Sequence, residues 1–135
     1  MMHTVYLGLG SNLGDKEACL RKALHEIGLQ VGTVEAVSSF YISEPWGFES
    51  GNSFVNAVCR LLTPLAPMEL LDVTQAIERS LGRTEKTVDG VYHDRVIDID
   101  ILLYDDLRMQ TPRLTIPHPL MEQRDFVKIP LAELL

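Results

Sequence analysis

Two aspartates separated by one residue are the clearest chemical signal in the sequence. They lie in the apolar stretch "RVIDIDILLY", which begins at Arg95 and has the composition of a β-strand. Because strand side chains alternate between faces, Asp98 and Asp100 point the same way, with Cβ atoms roughly 6–7 Å apart. Paired carboxylates suit Mg²⁺, and two such ions can clamp a phosphoryl group. The spacing alone leaves an ordinary solvated strand face equally open.

Basic side chains near this strand in the sequence favour a phosphate site. The set comprises Arg83, Lys86, Arg95, Arg113, His118 and Arg124. Arginine is apt for this role because its planar fork binds phosphate oxygens through two bonds at once. Scattered surface charge is the alternative for any one of them. His118 lies between two prolines in "PHP"; a lone histidine is more often structural, but one held beside arginines could donate to a phosphate.

Three further groups of residues each have two interpretations. Phe54 and Asn56 share one face of another predicted strand, where a ring and an amide could hold a flat heterocycle, although Phe54 alone suits a core. Gln75 and Glu78 share a helix face, which meets either a ligand or solvent. The glycine-rich "GLGSNLGDK" matches neither phosphate-loop pattern. It therefore predicts a strand-to-helix turn capped by Asn12 or Asp15, with a functional role through close main-chain packing as the alternative.

Hydrophobic periodicity and turn residues predict an alternating order of strands and helices. The predicted strands are Val5–Leu9, Thr33–Ile42, Phe54–Leu62 and the aspartate strand, followed by a short one at Leu107–Met109. The predicted helices are Asp15–Ile27, Pro67–Leu81 and a short piece from Pro130. The polar loops are Ser43–Asn52 and Arg83–Asp94. This order predicts an α+β, ferredoxin-like βαββαβ sandwich, with both main helices on one face of an antiparallel sheet and a short C-terminal extension.

Composition predicts one soluble globular domain spanning residues 1–135. The chain is 46% hydrophobic and 23% charged, with a formal net charge of −7, which argues against broad nucleic-acid binding. Cys19 and Cys59 lack zinc-site spacing, so free thiols in a reducing, cytoplasmic setting are expected. No apolar run approaches the ~20 residues of a membrane span, and the N-terminus lacks the basic segment of a signal peptide.

Six blocks, in order along nearly the whole chain, resemble the 6-hydroxymethyl-7,8-dihydropterin pyrophosphokinase family. They are "LGLGSNLGD", "SSFYISEPWG", "FVNAV", "IERSLGR", "DRVIDIDILL" and "RLTIPHPLMEQRDFV". The resemblance implies transfer of the β,γ-pyrophosphoryl unit of ATP to the hydroxymethyl group of the pterin. AMP is released, two Mg²⁺ ions take part, and the product serves folate biosynthesis.

The resemblance also implies a role for each matching residue. The catalytic residues would be Arg83, Arg95, Asp98 and Asp100, the two aspartates being the metal ligands. The ATP site would comprise Gln75, Glu78, Arg83, Arg95, Ile101, Arg113, Thr115, His118 and Arg124. The pterin site would comprise Ser43, Pro45, Trp46, Phe54, Asn56, Tyr92, Asp98 and Phe126. The sequence departs from the family's pattern at Tyr92, where many members have Trp, at Glu85, where some carry a loop arginine, and at Phe54, where some have Tyr.

Two other functions stay open on the sequence. A nucleotide-binding regulatory module without chemistry would bind ATP and form no AMP. An RNA-binding module could use exposed aromatics on a similar sheet, although the negative charge counts against it. The expected partners are the small molecules ATP and the pterin, with no nucleic acid or membrane, and a monomer is the expected state. No residue stands out as the acceptor of the hydroxyl proton.

Overall fold

The computed structural model describes residues 1–12, 14–43, 53–82, 97–119 and 121–135. Its elements are β1 (His3–Ser11), α1 (Lys16–Gln30), β2 (Thr33–Val37), β3 (Tyr41–Ser43), β4 (Phe54–Thr63), α2 (Pro67–Ser80), β5 (Asp98–Tyr104), β6 (Met109–Gln110), β7 (Thr115–Ile116) and α3 (Asp125–Ala132). Within these residues the main sheet has the order β2-β4-β1-β5, with β3 also pairing β4, while β6 and β7 form a separate hairpin. Every one of these pairings is antiparallel.

The main core lies between the sheet and the first two helices. Alternate residues of the central strands, such as Leu7, Leu9 and Ile99, are buried there against α1 and α2. This arrangement follows from the period of two along a strand, which turns one set of side chains to the core and the other set away from it. Both main helices therefore lie on one face, as predicted, and Ile97, Ile99 and Ile101 all belong to the core.

The opposite face is only partly open, because α3 packs on it. Val127 and Leu131, four residues apart on α3, form a second small core with Val58 of β4 and Leu102 of β5. The prediction that the final helix starts near Pro130 was wrong, since α3 begins at Asp125 and contains that proline in its interior. The i, i+4 apolar pair Val127 and Leu131, which packs on the sheet, begins before that proline.

The strand predicted over Thr33–Ile42 is in fact two strands, β2 and β3. The break falls at Ser38, which is buried and pairs with the main chain of Val58: its N–H donates to the Val58 carbonyl at 2.8 Å, and its hydroxyl accepts from the Val58 N–H at 2.9 Å. Serine hydroxyls compete in this way with regular ladders. The break allows β3 to continue along β4 and reach the site.

The helix starts follow local sequence signals. The Asp15 carboxylate accepts the N–H of Ala18 at 3.2 Å, so the predicted cap of α1 is confirmed. Pro67 opens α2, where its missing N–H costs nothing, and Glu69 accepts the N–H of Ala66 at 3.0 Å. Within the described residues, no helix combines the length and apolarity needed to cross a membrane.

Candidate active site

A cross-strand row on the sheet face opposite α1 and α2 defines the centre of the site. In register across β3, β4, β1 and β5, the row contains Tyr41, Asn56, Gly10 and Asp98. Asp100 stands in the adjacent row opposite Gly8. Since Ile99, between the aspartates, belongs to the helix-side core, both half-buried carboxylates leave the sheet on the other face. The prediction that they share a face is confirmed.

The side chains of Phe54 and Asn56 extend over bare main chain at Gly10. A Cβ at Gly10 would lie 3.0 Å from Asn56 Oδ1 and 3.5 Å from Phe54 Cδ1. The ring and the amide therefore lie on the same face, as their spacing predicted. The sequence predicted that the strand ends at Leu9 and that a turn begins at Gly8, whereas β1 runs to Ser11 and contains both glycines. Their alternation with Leu9 is the signal for this arrangement, because the leucine points to the core and the glycines place no side chain in the site.

The orientation of Asn56 is fixed by two hydrogen bonds to β3. Its side chain is 3% exposed, and Nδ2 donates to the Tyr41 carbonyl at 3.1 Å and to Ser43 Oγ at 2.9 Å. The structure thus brings together Ser43 and Asn56, both predicted to edge the heterocycle. With Nδ2 engaged, Oδ1 points toward β1 and serves as the acceptor on the site face.

A second set of predicted residues gathers around the carboxyl-terminal segment. The His118 main-chain N–H donates to the Leu102 carbonyl at 3.0 Å, which ties this segment to β5. Burial lowers the pKa of the His118 ring, the positive charge of Arg124 lowers it further, and Asp98 opposes them. The Arg124 guanidinium lies over the Phe126 ring, 5.6 Å from its centroid. These effects place His118 within electrostatic range of both Asp98 and Arg124, with the ring neutral at pH 7.

Arg113 and Gln75 meet at the α2 side of the site. Arg113 Nη2 donates to Asp72 Oδ1 at 2.8 Å and to Gln75 Oε1 at 3.3 Å. The arginine sits on the turn between β6 and β7, and Thr115, half-buried on β7, follows two residues later. Sequence reasoning missed Asp72, although it precedes Gln75 by three residues and therefore shares its helix face.

Glu78 and Ile101 turn toward the protein interior. Glu78 is 7% exposed and its Oε2 accepts the main-chain N–H of Ile99 at 2.7 Å, so the solvated-face interpretation is wrong for this residue. Ile101 is 3% exposed and its side chain belongs to the helix-side core. A nucleotide contact at Ile101 would therefore involve its main chain.

Several predicted positions lie outside the described residues. They are Pro45, Trp46, Arg83, Tyr92 and Arg95, together with the departure at Glu85.

Both cysteines are free, and burial raises the pKa of the Cys59 thiol to about 12, so Cys59 is a core residue and no nucleophile.

The two carboxylates match the donor set that Mg²⁺ uses with phosphorylated ligands. Mg²⁺ is usually held by one or two carboxylates and takes its other oxygens from water and substrate phosphates. In the part of the chain that the structure describes, no three His, Cys, Asp or Glu side chains are grouped around a common point. The candidate metal ligands among the described residues are therefore the two carboxylates of Asp98 and Asp100.

Together the fold and the site define a class: a small mixed α/β protein whose antiparallel sheet presents carboxylate, amide and aromatic side chains on one face. Residues 6–135 match the family described as 7,8-dihydro-6-hydroxymethylpterin-pyrophosphokinase. A relative from Porphyromonas gingivalis, named 2-amino-4-hydroxy-6-hydroxymethyldihydropteridine pyrophosphokinase, is 54% identical over 133 residues, covering 98% of this chain and 90% of the relative. A relative of the same name from Aquifex aeolicus is 44% identical, covering 98% and 81%.

A solved structure agrees with the fold. It is described as HPPK-DHPS in complex with substrates and superposes with a TM-score of 0.73 at 14% identity, covering 98% of this chain and 40% of that one. At that identity the likeness concerns the fold alone. On the family match and the sequence identities, the chain belongs to the 7,8-dihydro-6-hydroxymethylpterin-pyrophosphokinase family.

Proposed function

We propose that this protein transfers the β,γ-pyrophosphoryl unit of ATP to the hydroxymethyl group of 6-hydroxymethyl-7,8-dihydropterin, giving AMP and the pterin diphosphate in folate biosynthesis. The observation that carries the proposal is the row of Asn56, Gly10 and Asp98 across three adjacent strands. It sets an amide suited to a heterocycle edge beside a carboxylate suited to a phosphate-bound cation, with no side chain between them.

The pterin would lie against the glycine floor. Phe54 and Phe126 would cover its two faces, because flat heterocycles stack on aromatic rings, and Asn56 and Ser43 would meet its polar edge. Pro45, Trp46 and Tyr92 complete this pocket on the family resemblance and stay predictions.

ATP would bind along the opposite part of the site, where the basic side chains of Arg113 and Arg124 lie. The residues proposed to contact it are Gln75, Arg113, Thr115, His118, Arg124 and the main chain of Ile101, while Glu78, buried with its Oε2 on the Ile99 N–H, would support this set from the protein interior. In this assignment Arg113 would exchange its contact with Asp72 for one with the nucleotide. Arg83 and Arg95 are proposed, on the resemblance, to engage the triphosphate.

Asp98 and Asp100 would hold two Mg²⁺ ions. When bound, these ions would neutralise charge on the β- and γ-phosphates and so favour attack on the β-phosphorus. The aspartates contribute by standing on one face of one strand, two residues apart, where both can reach the same triphosphate.

The reaction is a single displacement at phosphorus. The hydroxymethyl oxygen forms a bond to the β-phosphorus and loses its proton, while the bond from that phosphorus to the α,β-bridging oxygen breaks and AMP leaves with the electron pair. Phosphoryl transfer asks little covalent work of a protein, so these residues act by positioning and charge. His118, neutral at pH 7, would hydrogen-bond a phosphate without adding charge.

The finer architectural assignments belong to the same proposal. The strand order and the two helices on one face support a ferredoxin-like βαββαβ core extended by β6, β7 and α3. We assign residues 1–135 to one domain that acts as a monomer.

Substitution of a metal ligand tests the proposal. Asp98→Asn should lower pterin-dependent AMP formation by at least about 100-fold, the upper range for groups that merely orient a metal ligand. Asp106→Asn, at an exposed turn carboxylate beyond β5, is the matched control and should keep full activity. An Asp98→Asn enzyme with normal turnover and normal Mg²⁺ dependence would remove Asp98 from the metal site.

A further inference from the structure

Glu78 is a buried carboxylate at the edge of the sheet. It follows Leu70 and Thr74 on the buried stripe of α2. Ionised side chains are rarely buried unless a partner compensates for their lost hydration. One partner is the Ile99 main-chain N–H, which donates to Oε2 at 2.7 Å. Hydrogen bonds to an ionised acceptor are among the stronger ones in proteins.

Ile99 lies on β5, an edge strand of the sheet. β5 is the last strand in the sheet order of the described residues, and Ile99 stands opposite Leu9 of β1. Successive residues of an antiparallel strand direct their N–H groups to opposite edges, and that of Ile99 faces α2. Glu78 therefore occupies the position of a strand partner for this one residue.

Fixing Ile99 fixes the main chain on both of its sides. Asp98 precedes it and Asp100 follows it, and both are paired with β1 at Gly10 and Gly8. Rotation or displacement of β5 at this point would move both carboxylates together. The hydrogen bond between Ile99 and Glu78 therefore acts on both aspartates. The Glu78 carboxylate reaches the strand from the α2 side.

We propose that Glu78 is a positioning residue that holds Asp98 and Asp100 in place through the Ile99 N–H. The inference rests on the proposed function, in which that pair binds Mg²⁺ with ATP. If the effect runs through a hydrogen bond, an acceptor oxygen at the right reach is required, and the negative charge matters less.

Three substitutions at Glu78 separate the effect of side-chain length from the effect of charge. Glu78→Gln keeps an acceptor oxygen at the same reach and removes the charge. Glu78→Asp keeps the charge and shortens the reach, and Glu78→Leu removes the acceptor at similar size. Thr74→Val is the matched control, because Thr74 is buried one turn earlier on the same stripe and its hydroxyl donates to Leu71 within α2.

The first readout is the Mg²⁺ dependence of turnover. In the Leu and Asp variants kcat should fall, and the Mg²⁺ concentration for half-maximal rate should rise, by about tenfold or more, as for other partners that orient metal ligands. The Gln variant should keep most of its activity, and Thr74→Val should keep the wild-type Mg²⁺ dependence. Should the Leu variant not fold, the Asp variant carries the test.

The second readout needs no substrate or metal. Amide hydrogen exchange at Ile99, followed by NMR, should be slow in the wild type, in the Gln variant and in Thr74→Val, and faster in the Asp and Leu variants. Slow exchange with wild-type Mg²⁺ dependence in the Asp and Leu variants would overturn the proposal. Equal losses in the Gln and Leu variants would also overturn it. A wild-type protein that forms no AMP would instead refute the proposed function. The exchange measurement would still report whether Glu78 holds the Ile99 N–H.

Discussion

At the residue scale, the site depends on side chains that are absent as much as on those present. Gly8 and Gly10 alternate with Leu7 and Leu9, so β1 gives leucines to the core and bare main chain to the site. That bare strip lies between Asn56 on β4 and the aspartates on β5. The two glycines therefore set the width of the space that a flat ligand would occupy between β4 and β5.

Gly10→Ala tests this floor. The added Cβ would lie 3.0 Å from Asn56 Oδ1, so the amide must move by a few tenths of an ångström. We expect the affinity for the pterin to fall by about tenfold, or ~1.4 kcal/mol, with the affinity for ATP little changed, both measured by calorimetric titration.

Gly8→Ala provides the comparison on the same strand and face. Its Cβ would meet Leu102 at 3.4 Å, an ordinary contact away from the amide. Pterin affinity should therefore fall less than in Gly10→Ala. Equal affinities in both variants and the wild type would show that the ring does not lie on this strip.

How much of the site the sequence predicts depends on how local each relation is. The shared face of Asp98 and Asp100, and of Phe54 and Asn56, follows from the period of a strand, so spacing was sufficient. Glu78 was different: its helix face was predictable, but its burial against Ile99 depends on how α2 packs on the sheet edge. Periodicity along one helix carries no information on that packing.

At the element scale, tertiary contacts at the connecting segments decide where strands and helices begin and end. The long strands and the two main helices formed near their predicted bounds, since periodicity is a property of each segment, whereas the short strand predicted at Leu107–Met109 begins only at Met109. The errors fell where tertiary contacts decide: Ser38 breaks the second strand by bonding to β4, and the packing of α3 on Val58 sets where that helix starts.

The joint between α1 and β2 supplies a prediction at this scale. A Cβ at Gly32 would lie 1.9 Å from the Leu62 carbonyl oxygen of β4, which is main chain and cannot rotate away. Gly32→Ala should therefore destabilise the protein by about 1–3 kcal/mol, the usual cost of overpacking, measured by urea unfolding.

Gly28→Ala is the matched control, four residues earlier in α1. No heavy atom lies within 4 Å of its added Cβ, so only helix propensity changes. It should stabilise the protein by about 0.5–1 kcal/mol. A Gly32→Ala variant as stable as Gly28→Ala would contradict the described approach of the two strands.

At the scale of the whole molecule, the N-terminus is tied to the far end of β5. Asp105, with a φ of 47°, accepts the Thr4 main-chain N–H at 2.7 Å and the His3 ring nitrogen Nδ1 at 2.7 Å. The bond from Thr4, and to a smaller extent the bond from His3, lowers the pKa of the Asp105 carboxyl below its ordinary value. The tie closes β1 onto β5, the two strands that carry the glycine floor and the aspartates.

This tie predicts a pH dependence of stability. Because the folded-state pKa of Asp105 is depressed, its contribution is present above the ordinary pKa and is lost as the pH falls through the folded value. Asp105→Asn, which tolerates the same backbone conformation, should therefore be less stable than the wild type at pH 7 by at most about 1 kcal/mol, as for exposed ion pairs. The difference in urea midpoint should shrink as the pH falls below the ordinary pKa of an aspartate, and a difference that stayed constant with pH would contradict the assignment.

The proposed reaction breaks the bond between the β-phosphorus of ATP and the α,β-bridging oxygen. ATP with a radioactive label tests this cleavage most directly. With ATP carrying ³²P at the β-position, Mg²⁺ and 6-hydroxymethyl-7,8-dihydropterin, the account predicts label in the pterin diphosphate and unlabelled AMP, both only when the pterin is present. Label recovered in ADP would mean transfer of the γ-phosphoryl group, and ATP binding with no pterin-dependent turnover would mean a binding module without chemistry. Either result would contradict pyrophosphoryl transfer.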